Sequence, residues 1–206
     1  MEPGTEKATG LIERIGIAAE RLQVLVDDLL EFSHVTDRPH ELDTIDLNEK
    51  VKKVLADLEL PIYEKTARFN VGNLPTIKGN RRQIQQLFYN LISNALKYSK
   101  ASTPPEIVIT ARKVLGSEVS ESVEIPINRH NEFFHLIEIH DNGIGFNQEY
   151  AEQIFQMFQR LHSKDEYNGT GIGLSIARKV IENHQGYLWA TSEKNIGSTF
   201  YILLPV

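Results

Sequence analysis

The sequence predicts an α+β protein in which one long helix precedes a domain that mixes helices and strands. Apolar residues with helical spacing recur from residue 11 to residue 32. The apolar runs at 106–111 and 133–139 are typical of strands, and a glycine-rich loop at 169–173 opens a further helical pattern. Polar residues and a proline at 33–39 mark a linker between the first helix and the rest of the chain.

The composition is that of an ordinary globular chain, and it excludes several classes of site. Of the 206 residues, 41% are hydrophobic and 24% are charged, and this length allows one or two domains. The net charge of −6 argues against a nucleic-acid partner, and the absence of cysteine excludes disulfides and cysteine-based zinc sites. No apolar run approaches the ~20 residues of a membrane span. We therefore expect no membrane contact by this chain and a cytoplasmic location, which leaves membrane anchoring of a longer parent protein open.

The first part of the chain is expected to be a helix of a bundle. Its apolar residues alternate at spacings of four and three, which is the pattern of a heptad seam. The seam consists of Leu11, Ile15, Ala18, Leu22, Leu25, Leu29 and Phe32. A second apolar row beside it widens the stripe, so the helix needs a partner helix, a second copy of the chain, or both. The alternative is an ordinary core helix of the same domain.

The middle of the chain carries a polar stripe on a predicted helix. Asn80 is a candidate cap for a helix over 81–99, and Asn90, Asn94 and Lys97 follow at spacings of four and three. Two amide oxygens one turn apart suit a hard cation such as Mg²⁺, and a lysine one turn further on suits phosphate. The alternative interpretation of this stripe is a solvated helix face.

Two glycine-containing loops indicate a nucleotide site. The first, at 141–146, places Asp141 at the end of a predicted strand, followed by glycines that allow close approach of a ligand. The second, at 169–174, feeds a helix N-terminus, where free N–H groups and the helix dipole favour an anion. Neither loop is a P-loop, because no Gly-Lys-Ser/Thr follows the glycines. Neither is a dinucleotide fingerprint, because the acidic residue precedes the glycines and does not follow them by about 20 residues.

Five segments together resemble the sequence boxes of sensor histidine kinases, in the order and at the spacing of that family. They are the N box at 90–99, the G1 box at 141–146, the F box at 154–160, the G2 box at 169–178 and the closing turn and strand at 197–205. The resemblance covers residues 46 to 206, and 19–33 is similar to the second helix of the family's dimerisation hairpin. It implies a two-layer α/β sandwich of the Bergerat type, a mixed sheet covered by helices on one face, shared with gyrase, Hsp90 and MutL ATPases.

The resemblance implies how the base of ATP would be bound. Asp141 is expected to accept a hydrogen bond from the adenine amino group, and Gly143 and Gly145 to leave room for the base. Tyr98 is expected to pack beside the adenine.

The resemblance also implies phosphate and metal ligands. Asn94, with Asn90, is expected to hold Mg²⁺, and Lys97 and Arg160 are expected to face the phosphates. The hydrolysing relatives carry a glutamate base at the position of Asn90. An amide cannot take a proton from water, so the site favours transfer of the γ-phosphate over hydrolysis.

The G2 box is expected to surround the triphosphate at a helix N-terminus. The residues assigned to nucleotide binding there are Gly169, Thr170, Gly171, Gly173 and Leu174. The segment 161–168 is expected to be a mobile lid, with Phe155 and Phe158 anchoring its start. Plain core packing is an equal alternative for Phe155.

Two features depart from the family pattern. None of the seven histidines has the sequence context of the phosphoacceptor, so we expect a fragment. Residues 1–38 would be the second hairpin helix alone, and 39–206 the catalytic ATP-binding domain. The connection at 116–132 is also longer than the family's short hairpin, and alternating apolar residues at 123–127 suggest that it extends this hairpin, with Pro126 restricting it to an edge.

The sequence therefore predicts the ATP-binding catalytic region of a sensor histidine kinase. The full-length protein is expected to transfer the γ-phosphate of ATP to its own histidine and then to an aspartate of a response-regulator receiver domain. It is expected to be a homodimer through the bundle helix. Two alternatives are a hydrolysing ATPase of the same superfamily and a non-enzymatic nucleotide-binding interaction module.

Overall fold

The computed structural model describes residues 42–119, 121, 123–161 and 169–206 and fifteen positions between 12 and 35. These positions are 12, 15, 16, 18, 19, 22–26, 29, 30, 32, 33 and 35. All of them are helical, in agreement with the predicted first helix. Of the predicted linker at 33–39, positions 33 and 35 are helical, and the others lie outside the described residues. No helix in the described part of the chain is both long and apolar enough to span a membrane.

The rest of the chain mixes strands and helices. The strands are β1 Asp43–Asp46, β2 Arg68–Val71, β3 Thr76–Gly79, β4 Glu106–Leu115, β5 Phe133–Asp141, β6 Tyr187–Glu193 and β7 Gly197–Pro205. The helices are α1 Leu47–Asp57, α2 Glu59–Glu64, α3 Arg81–Lys97, α4 Gly116–Val119 and α5 Gly173–Asn183. Three short 3-10 helices lie at Ile127–Arg129, Gln148–Tyr150 and Gln153–Phe155.

The main sheet is mixed and has the strand order β2-β4-β5-β7-β6. β2 is parallel to β4, and the other neighbours are antiparallel. A small sheet of β1 and β3 accompanies it. α3 and α5 pack together over one face of the main sheet, where Ile107, Ile137 and Ile139 are buried. This arrangement confirms the predicted α+β class with helices on one face of a mixed sheet.

The polar residues at the ends of α1 and α3 explain where these helices begin. The Asp46 carboxylate accepts a hydrogen bond from the Asn48 N–H, at 2.8 Å. The predicted cap at Asn80 is confirmed, since its side-chain oxygen accepts from the N–H groups of Arg82 and Gln83, both at 3.1 Å. These bonds satisfy N–H groups that have no partner within a helix, which fixes the register of α3 and hence of its polar stripe.

The predicted extension of the β4–β5 hairpin through residues 123–127 is wrong. β4 and β5 themselves continue as far as the pair Leu115 and Phe133, and the connection then folds into α4, a turn and a 3-10 helix. Pro126 has no N–H for a ladder, and its carbonyl accepts from the Arg129 N–H at 2.8 Å to close the turn. Ile125 is buried against the sheet face opposite to α3 and α5, where it belongs to a second apolar cluster.

The end of the first helix docks onto α3 and α5. Val35 is buried, and its carbonyl accepts hydrogen bonds from Asn183 Nδ2 at 2.8 Å and from Gln83 Nε2 at 3.4 Å. Nearby, His184 Nδ1 lies 2.7 Å from the Val180 carbonyl, and His184 Nε2 accepts from the Asn80 N–H at 3.0 Å. One donor and one acceptor define a neutral imidazole, so His184 joins the end of α5 to the start of α3.

Candidate nucleotide-binding site

A cleft of about 90 Å³ opens between the end of α3, the end of β5 and the start of α5. Six of the residues predicted from the sequence line it, namely Asn94, Tyr98, Asp141, Gly145, Arg160 and Leu174. The remaining predicted residues lie outside its lining. Among them, Asn90 lies beside Gly173 at the start of α5, and Lys97 lines a neighbouring, larger cavity. Side chains from distant parts of the sequence therefore converge as the two glycine loops indicated.

Asp141 is the buried acidic residue at the inner end of the cleft. Asp141 is the last residue of β5 and is only 6% exposed. Burial raises the pKa of the Asp141 carboxyl above its usual value, while the Gly143 N–H, which donates to Oδ1 at 2.8 Å, and the neighbouring His140 oppose this rise. The Ser198 N–H is a second backbone donor to this carboxyl. Two oxygens with about four acceptor sites still leave capacity for a ligand that presents an N–H group.

The G1 glycines are required by the protein's own backbone. A Cβ on Gly143 would lie 2.6 Å from the Tyr98 carbonyl, which also accepts a hydrogen bond from the Ile144 N–H at 2.9 Å. Gly145 has φ of +57°, and a Cβ there would collide with the carbonyl of Glu193. The loop is thus packed between the end of α3 and the β6–β7 turn, which holds Asp141 in place.

Lys97 brings a positive charge to the second glycine loop. Its Nζ lies 4.6 Å from the centre of the Tyr98 ring, which is a cation–π distance. A Cβ on Gly169 would collide with this Nζ, so the ammonium group stands directly beside the loop backbone. A phosphate bound at this loop would therefore meet both backbone N–H groups and the Lys97 charge.

The start of α5 has the features of an anion site. Gly169 and Gly171 have φ of +147° and +80°, which L side chains rarely adopt. Ile172 occupies the cap position and has no polar side-chain atom that could accept from the first N–H groups of the helix. The first turn of an eleven-residue helix therefore presents N–H groups and the positive end of the dipole to the cleft margin.

Asn90 and Asn94 face different surroundings. Asn94 lines the cleft. Asn90 is 8% exposed, and its Oδ1 lies 3.5 Å from the Cβ position of Gly173 and accepts from Gln86 Nε2 at 3.2 Å. Its Nδ2 is buried and has no hydrogen-bond partner among the described residues. A buried amide with an unused atom at the start of α5 is suited to a ligand at that point.

The residues present fit ATP and a hard cation. Rotating the Asn90 and Gln86 amides by half a turn would exchange donor and acceptor, and would give the Asn90 oxygen the position that has no partner. That oxygen and Asn94 would then be the amide ligands available to Mg²⁺, with its other ligands from phosphates and water. In the described part of the chain, no cluster of three His, Cys, Asp or Glu residues competes as a metal site.

The F box has one core residue and one exposed residue. Phe155 is 3% exposed and meets Phe200 edge to face with ring centres 6.3 Å apart, which supports the core-packing alternative. Phe158 is 56% exposed and has φ of +63°, and its N–H donates to the Gly171 carbonyl at 3.0 Å. The predicted lid at 161–168 lies outside the described residues except for Leu161.

Sequence reasoning missed the contribution of β7 to the cleft. Ser198 and Phe200 line it because β7 pairs with β5, where Ser198 stands opposite Asp141. Both residues lie in the closing segment at 197–205, but the resemblance gave neither of them a role at the site. The alternation along β7 and its pairing with β5 would have been the signals, but they require the register of the sheet.

A larger cavity, of about 860 Å³, lies on the other side of the segment 144–145. Its lining includes four lysines, one of which is Lys97, and it shares Gly145 with the cleft, but Asp141 and Tyr98 are absent from it. Lys65 donates to the Leu96 carbonyl at 2.8 Å and Lys100 to the Ile196 carbonyl at 3.2 Å, so two of these lysines hold loops together. Size alone therefore does not identify the nucleotide site.

Comparisons with known proteins show which family the chain belongs to. The family described as histidine kinase-, DNA gyrase B- and HSP90-like ATPases matches residues 79–206. The chain is 35% identical over 201 residues to the phytochrome-like protein Cph1 of Synechocystis sp., which covers 98% of this chain and 24% of that protein. It is 30% identical over 230 residues to hybrid signal transduction histidine kinase D of Dictyostelium discoideum, covering 96% of this chain and 14% of that protein. The chain thus spans about a quarter or less of the length of these relatives.

Solved structures share the fold. Full-length ShkA in complex with AMPPNP superposes with a TM-score of 0.71 at 20% identity, covering 96% of this chain and 38% of that chain. A nucleotide-free form of the catalytic domain of the histidine kinase ThkA superposes with a TM-score of 0.60 at 25% identity, covering 80% of this chain and 97% of that chain.

Proposed function

Because the chain belongs to the family of histidine kinase-, DNA gyrase B- and HSP90-like ATPases and carries the catalytic ATP-binding domain of sensor histidine kinases, we propose that it binds Mg·ATP for transfer of the γ-phosphate to a histidine. From that histidine the phosphoryl group passes to an aspartate of a response-regulator receiver domain. The observation that carries the proposal is the buried Asp141 carboxylate in a cleft whose opposite margin is the uncapped start of α5. The ShkA structure, whose fold is similar, contains a nucleotide analogue.

Different residues of the cleft bind the base, the phosphates and the metal of Mg·ATP. Asp141 accepts the amino group of adenine, and Tyr98 packs beside the ring. The N–H groups at the start of α5 and the Lys97 ammonium bind phosphate oxygens, and Arg160 adds a second positive charge. Thr170 and Leu174 make further contacts to the nucleotide. Mg²⁺, held by Asn90 and Asn94, would neutralise charge on the phosphates.

The γ-phosphate is preserved for a nucleophile other than water. Asn90 stands where the hydrolysing relatives carry a glutamate, and an amide cannot act as a general base. Slow ATP hydrolysis is therefore expected. None of the seven histidines has the sequence context of the phosphoacceptor, and the most buried of the four described ones, His184, is held by hydrogen bonds on both ring nitrogens. The acceptor is proposed to be a histidine outside this sequence.

The first helix provides the surface for that histidine-bearing partner. Its apolar residues Ile12, Ile15 and Leu22 are 69%, 64% and 63% exposed. A second bundle helix, from the same protein or from a second copy, would cover them, so the full-length protein is proposed to be a homodimer. We assign residues 1–38 to this dimerisation part and 39–206 to the catalytic domain.

The proposal is tested by supplying the missing partner. A synthetic helical hairpin that carries the phosphoacceptor histidine of a relative is mixed with the chain and γ-labelled ATP. Labelled, acid-labile phosphohistidine is the expected product, and the Asp141→Ala variant should give none. A hairpin with glutamine in place of the histidine is the matched control.

The same experiment separates the two alternatives. ATP binding without labelling of the hairpin would favour a non-enzymatic nucleotide-binding module. Rapid release of inorganic phosphate that depends on Asn90 would favour a hydrolysing ATPase.

A further inference from the structure

The outer edge of the main sheet is the strand β6, and half of that edge is covered. β6 pairs with β7 on one side and ends the strand order on the other. The Gln148 side chain covers the outer edge near the C-terminal half of β6, since its Nε2 donates to the Ala190 carbonyl at 3.2 Å and its Oε1 accepts from the Ser192 N–H at 2.9 Å. Alternation along an antiparallel strand then directs the N–H and C=O of Leu188 outwards as well.

The N-terminal half of β6 lies in a groove. This groove has a volume of about 500 Å³, and Leu188 and Trp189 are part of its lining. One wall is α5, with Arg178 and Glu182, and the other is the 116–132 connection, with Val123 and Glu124. Among the described residues, none donates to or accepts from the outward backbone groups of Leu188. The groove thus combines the unpaired edge at Leu188, a residue that is only 6% exposed as a whole, with two side walls.

The 116–132 connection is anchored so that the groove is preformed. Arg129 donates through Nη1 to the Gln185 carbonyl at 2.8 Å and pairs through Nε with Glu132 at 2.7 Å. Its guanidinium also lies 4.9 Å from the centre of the Phe134 ring. These contacts fix the connection to the start of β6. Because the connection is already ordered, a ligand would lose less binding free energy to ordering it.

The charges around the groove are mainly negative. Glu124, Glu152 and Glu182 contribute carboxylates, whereas Arg178 is the one cation in the lining. Arg178 is already paired with Glu152 at 2.8 Å, and Lys179, which is outside the lining, lies 3.4 Å from Glu182. Glu124 is exposed and has no ion pair among the described residues, so the lining keeps an excess of negative charge. A ligand that fits this groove therefore carries positive side chains beside a backbone able to pair with β6.

We propose that this groove docks an extended basic segment of a partner protein, which adds as a further strand beside β6. Its backbone pairs with Leu188, and its lysine or arginine side chains face Glu124 and Glu182. This inference is independent of the proposed function, because the groove shares no lining residue with the nucleotide cleft.

The test uses a defined peptide. A capped peptide of about nine residues that alternates lysine and valine is titrated into the ¹⁵N-labelled chain and followed by NMR. Binding is expected to shift the amide resonances of Leu188 and Ala190 and to slow hydrogen exchange of the Leu188 amide about tenfold or more. The same peptide with glutamate in place of lysine should not bind.

Charge variants test the specificity of the groove. A paired variant that carries both Glu124→Gln and Glu182→Gln is expected to weaken peptide binding about three- to tenfold, because two exposed ion pairs with the peptide would be lost. Glu121→Gln, an exposed change on the same connection outside the groove, is the matched control. No binding near millimolar peptide, binding without protection of Leu188, or binding unaffected by the paired variant would overturn the proposal. Protection of Leu188 by self-association without peptide would overturn it too, because the occupant would then be a second copy.

Discussion

Replacing Asp141 by asparagine is expected to weaken ATP binding while leaving the fold intact. The amide has the shape of the carboxylate, and its oxygen can still accept from the Gly143 N–H at 2.8 Å. What is lost is the negative charge that we propose accepts a hydrogen bond from the adenine amino group. The amide NH₂ group would also face that amino group as donor against donor.

The expected magnitude follows from the burial of Asp141. A hydrogen bond to a charged group contributes roughly 1.5–3 kcal/mol, so the loss corresponds to about a 10- to 150-fold higher dissociation constant. Burial places the site of this bond away from water, since the residue is only 6% exposed, so the effect should be near the upper part of that range.

Asp141→Asn is expected to weaken ATP binding without lowering the stability of the fold at neutral pH. Burial raises the pKa of the Asp141 carboxyl above its usual 3.8, so the folded chain binds the proton more tightly than the unfolded chain does. The free energy of unfolding therefore falls as the pH rises from the unfolded value through the raised one, and that loss is complete above it. Asp141→Asn does not ionise, so it should lack this loss and melt at the same temperature as the parent or higher at neutral pH.

The assay is calorimetric titration with two nucleotides. ATP and an analogue without the 6-amino group are each titrated into the parent and into Asp141→Asn. The parent should prefer ATP, and the variant should bind both nucleotides with similar, weaker affinity. Equal affinities in the parent, or an unchanged preference for ATP in the variant, would refute the role of Asp141, because a double-mutant cycle would then show no coupling.

Three further substitutions test the surroundings of the site. Gly171→Ala is expected to lower the free energy of unfolding by about 1–3 kcal/mol in urea, because φ is +80° and a Cβ would lie 2.7 Å from a backbone carbonyl. The control Gly72→Ala, whose Cβ would have 3.5 Å of space, should be close to neutral. Asn183→Ala removes the shorter bond to the Val35 carbonyl, and a loss of about 1 kcal/mol should speed hydrogen exchange at the end of the first helix about fivefold. Gln148→Ala uncovers the edge of β6 and should produce concentration-dependent association in sedimentation velocity. An unchanged free energy of unfolding for Gly171→Ala, unchanged hydrogen exchange for Asn183→Ala or unchanged sedimentation for Gln148→Ala would contradict the prediction for that variant.

Features that depend on neighbouring residues could be predicted from the sequence. The Asn80 cap and the position of Asp141 at a strand end follow from local chemistry, and the structure has both. The resemblance to sensor histidine kinases supplied the sheet and the helical layer. Long-range register could not be predicted, and for that reason Ser198 was missed.

The 116–132 connection shows why the remaining errors arose. Alternating apolar residues such as Val123 and Ile125 are typical of a strand. In the structure Ile125 is buried on the second face of the sheet from a non-strand backbone. Apolar spacing reports which side chains are buried, and several backbone conformations can bury the same ones.

The opposite orientation of α3 and α5 links the first helix to the nucleotide cleft. α3 contacts the Val35 carbonyl through Gln83 near its start and reaches the cleft with Asn94 near its end. α5 runs the other way, with Gly173 at the cleft and Asn183 at the Val35 carbonyl. Gln83 and Asn94 are separated by about 16 Å along α3. If nucleotide binding strengthens the docking of Val35 by some factor, docking must strengthen nucleotide binding by the same factor, since the two equilibria share one thermodynamic cycle. A signal that turned the first helix would then be read as a change in ATP affinity, and the ATP concentration of the cell would in turn bias the position of that helix.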